Sequence, residues 1–182
     1  MKELTLVDIQ RIGQVLKRCV LDLTDVWILG SGAVSACHPE LDGSLRKSMD
    51  VDMSPTDRPV YYFDSKFVEQ YAGEESEFFE EHGFYLDYVE STLLQWTPPG
   101  WQQRVTTIPL TTGLRGHCLD PHDVAYNKLY AGRPKDIVWI RGLLKTSLIN
   151  WERLEELHAG NPLAAADREK VDQSICKVKQ EV

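Results

Sequence analysis

The 182-residue chain is long enough for one sizeable core with a small appended region. Its 42% hydrophobic and 26% charged content is ordinary for a soluble globular protein, and no apolar run approaches the roughly 20 residues of a membrane helix. A formal net charge of −8 argues against a broad nucleic-acid surface.

The N-terminal residues lack the apolar core of a secretory signal, and Cys19, Cys37, Cys118 and Cys176 are scattered without paired spacing. Both features lead to the expectation of a cytoplasmic protein with reduced thiols. Thr5 and Asp8 form a capping-box pattern, and Ile9, Ile12, Leu16, Cys19 and Val20 recur at helical spacing, so a helix is predicted to about residue 20. A first strand is predicted at 25–29, a short helix at 32–37 and a second strand at 48–53. A helix at 65–81, capped by Asp64 and ended by Gly83, carries Gly73 in its middle and can be two pieces. Residues 84–89 read as a strand, 98–101 as a turn, and 105–110 and 114–119 as two short strands.

From Asp120 the period becomes helical throughout. Asp120-Pro121-His122-Asp123 supplies an N-cap, a proline at the first helical position and an acid in the first turn. Three further helices are predicted, from Pro134, from Asn150 and over 164–182. The predicted organisation is a core over 1–119 and a helical region over 120–182 packed on it. Charge is uneven: residues 64–90 hold nine acids and one base, Lys66. Residues 101–145 hold seven bases (Arg104, Arg115, Lys128, Arg133, Lys135, Arg141, Lys145) and three acids. The basic run either steers an anionic substrate toward the second strand or is a solvated face.

The chemistry concentrates between Trp27 and Asp52. An apolar run stops on Gly30-Ser31-Gly32, a glycine turn into a helix N-terminus that offers amides and a positive dipole end to a phosphate. Asp50 and Asp52 stand at i and i+2, which on a strand puts both carboxylates on one face. Separated by roughly 6.5–7 Å, they repel by roughly 2 kcal/mol at an effective dielectric of about 20. One reading is a Mg²⁺ site of hard oxygen ligands; the other is a surface strand with its polar face in water. Asp87, alone in an aromatic strand, is the candidate third carboxylate, with Glu90 behind it. The five histidines have no zinc-ligand spacing, and neither a P-loop nor a dinucleotide fingerprint is present.

Gly30-Ser31 followed by Asp50-x-Asp52 resembles the signature of nucleotidyltransferases with the DNA polymerase β fold. Arg46-x-Ser48-x-Asp50-x-Asp52 is similar to a minimal bacterial branch of that superfamily. So is a second block, Leu119-Asp120-Pro121-His122-Asp123 with Lys128-Leu129-x-Ala131-Gly132-Arg133-x-Lys135-Asp136. That branch includes the AbiEii-type toxin nucleotidyltransferases and their uncharacterised relatives. The resemblance implies an α+β fold, a mixed sheet flanked by helices with a C-terminal helical region. It also implies nucleotide-binding roles for Gly30, Ser31, Arg46, Ser48, Lys128 and Lys135. Asp50, Asp52 and Asp87 become catalytic ligands of Mg²⁺ or Mn²⁺. In many toxin relatives another acid follows three residues after the Lys-Asp pair, and here that position is Trp139.

The activity so implied is Mg²⁺-dependent transfer of a nucleotidyl group from an NTP to an acceptor hydroxyl on RNA, such as a tRNA end, or on protein. A cognate antitoxin or neighbouring-gene product is the implied partner, and no membrane is involved. The alternative is an inactive nucleotidyltransferase-fold module that binds or regulates. A glycosyltransferase with a DxD metal site would instead bind sugar nucleotides over free NTPs.

Overall fold

The computed structural model describes residues 1–180, with Leu93 described by its backbone alone; the end of the predicted last helix, 181–182, lies outside the described residues. Two units emerge from the chain: Met1–Leu93 with Val105–Leu119, and Leu94–Arg104 with Asp120–Val182.

In the first unit, β1 (Lys2–Glu3) precedes α1 (Leu6–Cys19). The helix opens as its sequence predicts, with Thr5 Oγ1 accepting from the Asp8 amide at 3.3 Å and Asp8 Oδ2 accepting from the Thr5 amide at 3.0 Å. β2 (Asp25–Ile28) runs directly into α2 (Gly30–Cys37). The strand expected at 48–53 is two strands. β3 (Lys47–Ser48) pairs antiparallel with β1, and β4 (Asp50–Pro55) pairs antiparallel with β2. The chain changes partner at Met49, which no local pattern announces.

The helix expected at 65–81 is also two, α3 (Tyr62–Ala72) and α4 (Glu77–His82). The break falls at Gly73, where a Cβ would lie 2.5 Å from the Glu69 carbonyl oxygen. Asp64 is not the cap; it lies in the first turn of α3, where its charge still suits the helix dipole. α4 is capped by Ser76 and ends on left-handed Gly83 (φ 75°). β5 (Tyr85–Tyr88) follows, then the antiparallel hairpin β6 (Thr106–Thr111) and β7 (Leu114–Cys118).

The sheet has the order β5-β4-β2-β7-β6, with β4–β5 and β2–β7 parallel and the other pairs antiparallel. Alternation sorts its faces. Val26, Ile28, Val51, Met53, Leu86 and Leu114 are buried on one side. α2 and α1 cover that side closely. A Cβ on Gly32 would meet Val51 Cγ1 at 3.1 Å, and one on Gly13 would meet Leu110 Cβ at 2.7 Å. The opposite face carries Asp25, Trp27, Asp50, Asp52, Asp87 and His117. The architecture is α+β, a mixed five-stranded sheet flanked by helices.

The second unit holds α5 (Pro121–Ala131), α6 (Pro134–Lys145), α7 (Trp151–Gly160) and α8 (Ala165–Lys179). Asp120 caps α5 by accepting from the His122 amide, and left-handed Gly132 (φ 64°) ends it. The stretch before β6 belongs here: Arg104 donates through Nε and Nη2 to the buried Asp123 carboxylate at 2.8 and 2.6 Å. No helix among the described residues is long and apolar enough to cross a membrane.

Candidate active site

The site begins where β2 ends. Leu29 hands its amide to the Asp52 carbonyl at 3.0 Å, so the chain stays bonded to β4 until the moment it turns into α2. Gly30 makes that turn at φ +55°, and a Cβ there would sit 2.7 Å from Asp52 Oδ2. Glycine is required twice over, for the left-handed backbone and for the close approach of the carboxylate. α2 starts without a side-chain cap. Its first amides, at Gly30, Ser31 and Gly32, therefore carry the positive end of the helix and suit an anion.

Two serines tie this turn to the first aspartate. Ser31 Oγ donates to Ser48 Oγ at 3.3 Å, and Ser48 Oγ donates to Asp50 Oδ1 at 2.7 Å. Ser48 thereby fixes the Asp50 side chain.

The third carboxylate is positioned by register. β4 and β5 pair in parallel with Asp52 opposite Asp87 and Asp50 opposite Tyr85. Parallel partners point to the same face, so Asp50, Asp52 and Asp87 share one face of two strands about 4.8 Å apart. Asp50 and Asp52 are half-buried and Asp87 is exposed. Although its surface is exposed, partial loss of hydration to the protein around it raises the Asp87 carboxyl from its ordinary value, and the charges of Asp50 and Glu74 raise it further. The Tyr85 hydroxyl is raised in the same way, by burial and then by Asp50, Glu74, Asp87 and Asp52. This corner of the sheet is a concentration of negative charge.

Three carboxylates and a serine hydroxyl are hard oxygen donors of the kind Mg²⁺ and Mn²⁺ take, so the donor chemistry fits. The side chains share the face without converging: among the described residues, no three His, Cys, Asp or Glu side chains are gathered closely enough to hold one ion.

Two other expected residues, Arg46 and Lys128, are engaged within their own units. Arg46 is buried, and its three nitrogens are engaged within the fold. Nε donates to the Leu41 carbonyl at 3.0 Å, Nη1 to the Leu4 carbonyl at 3.2 Å, and Nη2 pairs with Glu3. It braces the loop that leads to Ser48. Lys128 belongs to the second unit, where Nζ donates to Asp136 Oδ1 at 3.0 Å and lies over the Trp139 ring. Arg133 Nε donates to Asp136 Oδ2 at 2.5 Å. Burial works against the Asp136 charge, but the bonds and charges of Arg133 and Lys128 outweigh it and hold the carboxyl below the usual range. Lys135 is exposed.

The basic run of 101–145 is largely spent on such ties. Arg104 holds Asp123, Arg115 holds Asp25, Lys128 and Arg133 hold Asp136, and Arg141 donates to the Val178 carbonyl.

The sequence reading missed Glu74, which follows the helix break at Gly73 and charges the Asp87 corner. It also missed a network on the same sheet face. His117 Nε2 lies 2.8 Å from Asp25 Oδ1, Thr107 Oγ1 lies 2.9 Å from His117 Nδ1, and Trp27 packs on the imidazole with centroids 5.4 Å apart. The hydrogen bond from Arg115 is the main reason the Asp25 carboxyl is held down to about 2. The signal available for this network was strand alternation, since Asp25 and Trp27 flank buried Val26.

A family model described as "Nucleotidyltransferase of unknown function (DUF6036)" matches residues 5–180. No curated protein and no solved structure matches the chain.

Proposed function

Because the chain belongs to the DUF6036 family of nucleotidyltransferases of unknown function, we propose that it moves a nucleoside monophosphate from an NTP to an acceptor hydroxyl, with Asp50, Asp52 and Asp87 at the reacting centre. The observation that carries this reading is the β4–β5 register, which sets Asp87 beside Asp52 on the face of Asp50. The uncapped start of α2 adjoins the same carboxylates, since Gly30 packs against Asp52.

The amides of Gly30, Ser31 and Gly32 bind the triphosphate, and the glycine lets its oxygens approach the backbone. Asp50, held by Ser48, and Asp52 are the residues that would carry Mg²⁺ or Mn²⁺. The ion, when bound, neutralises phosphate charge. Asp87 accepts the proton of the acceptor hydroxyl, a task suited to a carboxyl made more basic by partial loss of hydration and by the charges of Asp50 and Glu74. The acceptor oxygen bonds to the α-phosphorus, the bond from that phosphorus to the bridging oxygen breaks, and pyrophosphate leaves with the electron pair.

The acceptor is a hydroxyl of RNA or protein. A toxin–antitoxin role is supported by the likeness of the 46–52 and 119–136 motifs to AbiEii-type enzymes. Trp139 and the internal duties of Arg46 and Lys128 set this chain apart from them. A cytoplasmic location belongs to the same reading, and the free cysteines suit a reducing compartment.

Labelled NTPs offered with tRNA, total protein and the neighbouring gene's product should give Mg²⁺-dependent transfer. Replacing Asp50 and Asp52 by Asn should reduce it by at least about a thousandfold; full activity in that double variant would end the mechanism. The second reading, an inactive binding module, predicts calorimetric NTP binding that is indifferent to Mg²⁺.

A further inference from the structure

A cleft of about 280 Å³ lies between α3 and β5, the edge strand of the sheet. Glu69 lines it from α3, Glu74 from the turn that follows, and Asp87 and Tyr88 from β5. Asp87 therefore belongs both to the carboxylate face and to this cleft.

Two independent features mark the cleft as a place for a ligand. The first is an unmet hydrogen bond. Tyr88 is 9% exposed, and its hydroxyl is buried without a hydrogen-bond partner among the described residues. Buried hydroxyls are ordinarily paired, because an unpaired one bears the full cost of its lost hydration. The charged groups around the phenol are Asp64, Arg58, Asp57 and Asp22, three acids to one base. That base is already held, since Arg58 donates to both oxygens of Asp22 at 2.5 and 2.9 Å.

The second feature is uncompensated negative charge. Residues 64–81 hold seven acids and one base, Lys66, whose amine is on Glu69 at 2.6 Å. Glu74 and Asp87 act on each other, and among the described residues no cation is paired with either.

Together these features choose among acceptors. RNA would bring phosphates against unpaired carboxylates, a like-charge encounter that works against binding. A single metal ion does not suit the cleft, because among the described residues no three His, Cys, Asp or Glu side chains are gathered closely enough to hold one. Guanidinium or ammonium groups do suit it, since they pair with a carboxylate and also donate to a hydroxyl oxygen. The volume falls just below the roughly 300 Å³ at which pockets for whole small molecules begin, so the cleft is sized for side chains of a larger acceptor.

We propose that this cleft selects the acceptor: it takes the basic side chains that flank a serine or threonine of a protein substrate, at Glu74 and the Tyr88 hydroxyl, while the acceptor oxygen meets Asp87. The fate of that oxygen rests on the transfer reading; capture of the basic segment does not. In the transfer, the serine Oγ bonds to the α-phosphorus of the NTP and its proton passes to Asp87. Pyrophosphate leaves with the electron pair of the broken bond, and the side chain is left as a phosphodiester of the nucleoside.

The test uses the full chain, a peptide with one serine between arginines, the same peptide with glutamates in place of the arginines, and tRNA. Fluorescence anisotropy without NTP should show the arginine peptide binding at least about tenfold more tightly than the glutamate peptide. Tyr88→Phe should weaken that binding about tenfold, the loss of a buried hydrogen bond to a charged group. Glu74→Gln should weaken it about two- to fivefold, as an exposed charge pair does. Tyr88→Phe removes only an unpaired hydroxyl and Glu74 is exposed, so the Tm of neither variant should fall. With labelled NTP and Mg²⁺, both variants should raise KM for the arginine peptide and leave KM for the NTP unchanged. Equal binding of the two peptides, or variants that bind like wild type, overturns the proposal. Labelling of tRNA or of the glutamate peptide in preference to the arginine peptide also overturns it, and leaves the transfer reading standing. Selective binding of the arginine peptide with no acceptor labelled removes the transfer reading and leaves the ligand class of the cleft in place.

Discussion

Two groups of carboxylates, one in each unit, follow opposite rules. On the sheet face, Asp50, Asp52 and Asp87 share one side of two strands with Glu74 nearby, and loss of hydration, then the charges of Asp50 and Glu74, raise Asp87. In the helical unit, Asp136 is 1% exposed yet fully answered: Lys128 and Arg133 both donate to it, and its carboxyl is lowered. A buried carboxylate with two cations holds α5, the following turn and α6 in place. Asp87, raised where Asp136 is lowered, costs stability that a bound cation would return. The contrast separates an acid that serves the fold from acids proposed to serve a ligand.

Mutations can break or sharpen this contrast. Asp136→Ala should cost about 2–3 kcal/mol in urea unfolding, because it strands Lys128 and unties Arg133 from a buried position. Asp87→Asn should cost nothing or raise Tm slightly, because it relieves repulsion; a loss matching that of Asp136→Ala would erase the distinction. Gly30→Ala should cost about 1–2 kcal/mol for the left-handed backbone alone. It should also weaken NTP binding, since the new methyl displaces the Asp52 carboxylate from its place against the turn.

The smallest effect is a pH dependence with opposite signs at two aspartates. Asp25 is held down to about 2 chiefly by the Arg115 hydrogen bond. Its contribution is complete above the unfolded value of about 3.9 and is lost as pH falls through about 2. Asp87 is raised, so its cost is fully present above its folded value and relieved as pH falls. Asp25→Asn should flatten the acid limb of stability between about pH 4 and 2, and Asp87→Asn should steepen the net loss on acidification from neutral pH by removing a compensating gain. Urea midpoints measured across that range check both slopes.

Much of the fold was legible because its signals are local. The Thr5–Asp8 box, the Asp120-Pro121 start and the glycine end at Gly132 each concern one turn of chain, and each forms as read. The break at Gly73 was visible as a glycine in a helical pattern. What escaped was the switch at Met49 from β1 to β2 as partner, because strand exchange is decided by which strand lies alongside and not by the residues that cross over. Of the candidate site, Gly30, Ser31, Asp50 and Asp52 could be picked out by spacing alone. Arg46 and Lys128 could not be sorted, since a basic residue near a motif looks the same whether it faces a ligand or a carbonyl inside the fold.

By itself the sequence determined the period of each element, its caps, and the placing of Asp50 and Asp52 on one strand face, all consequences of backbone geometry over a few residues. Only the tertiary structure decided that Asp87 stands beside Asp52 and that Asp136 is held internally by Lys128 and Arg133. Both depend on contacts between separate elements. The register of β4 against β5 is set by burying Val51, Met53 and Leu86 together. The Asp136 pairing is set by the packing of α5 on α6.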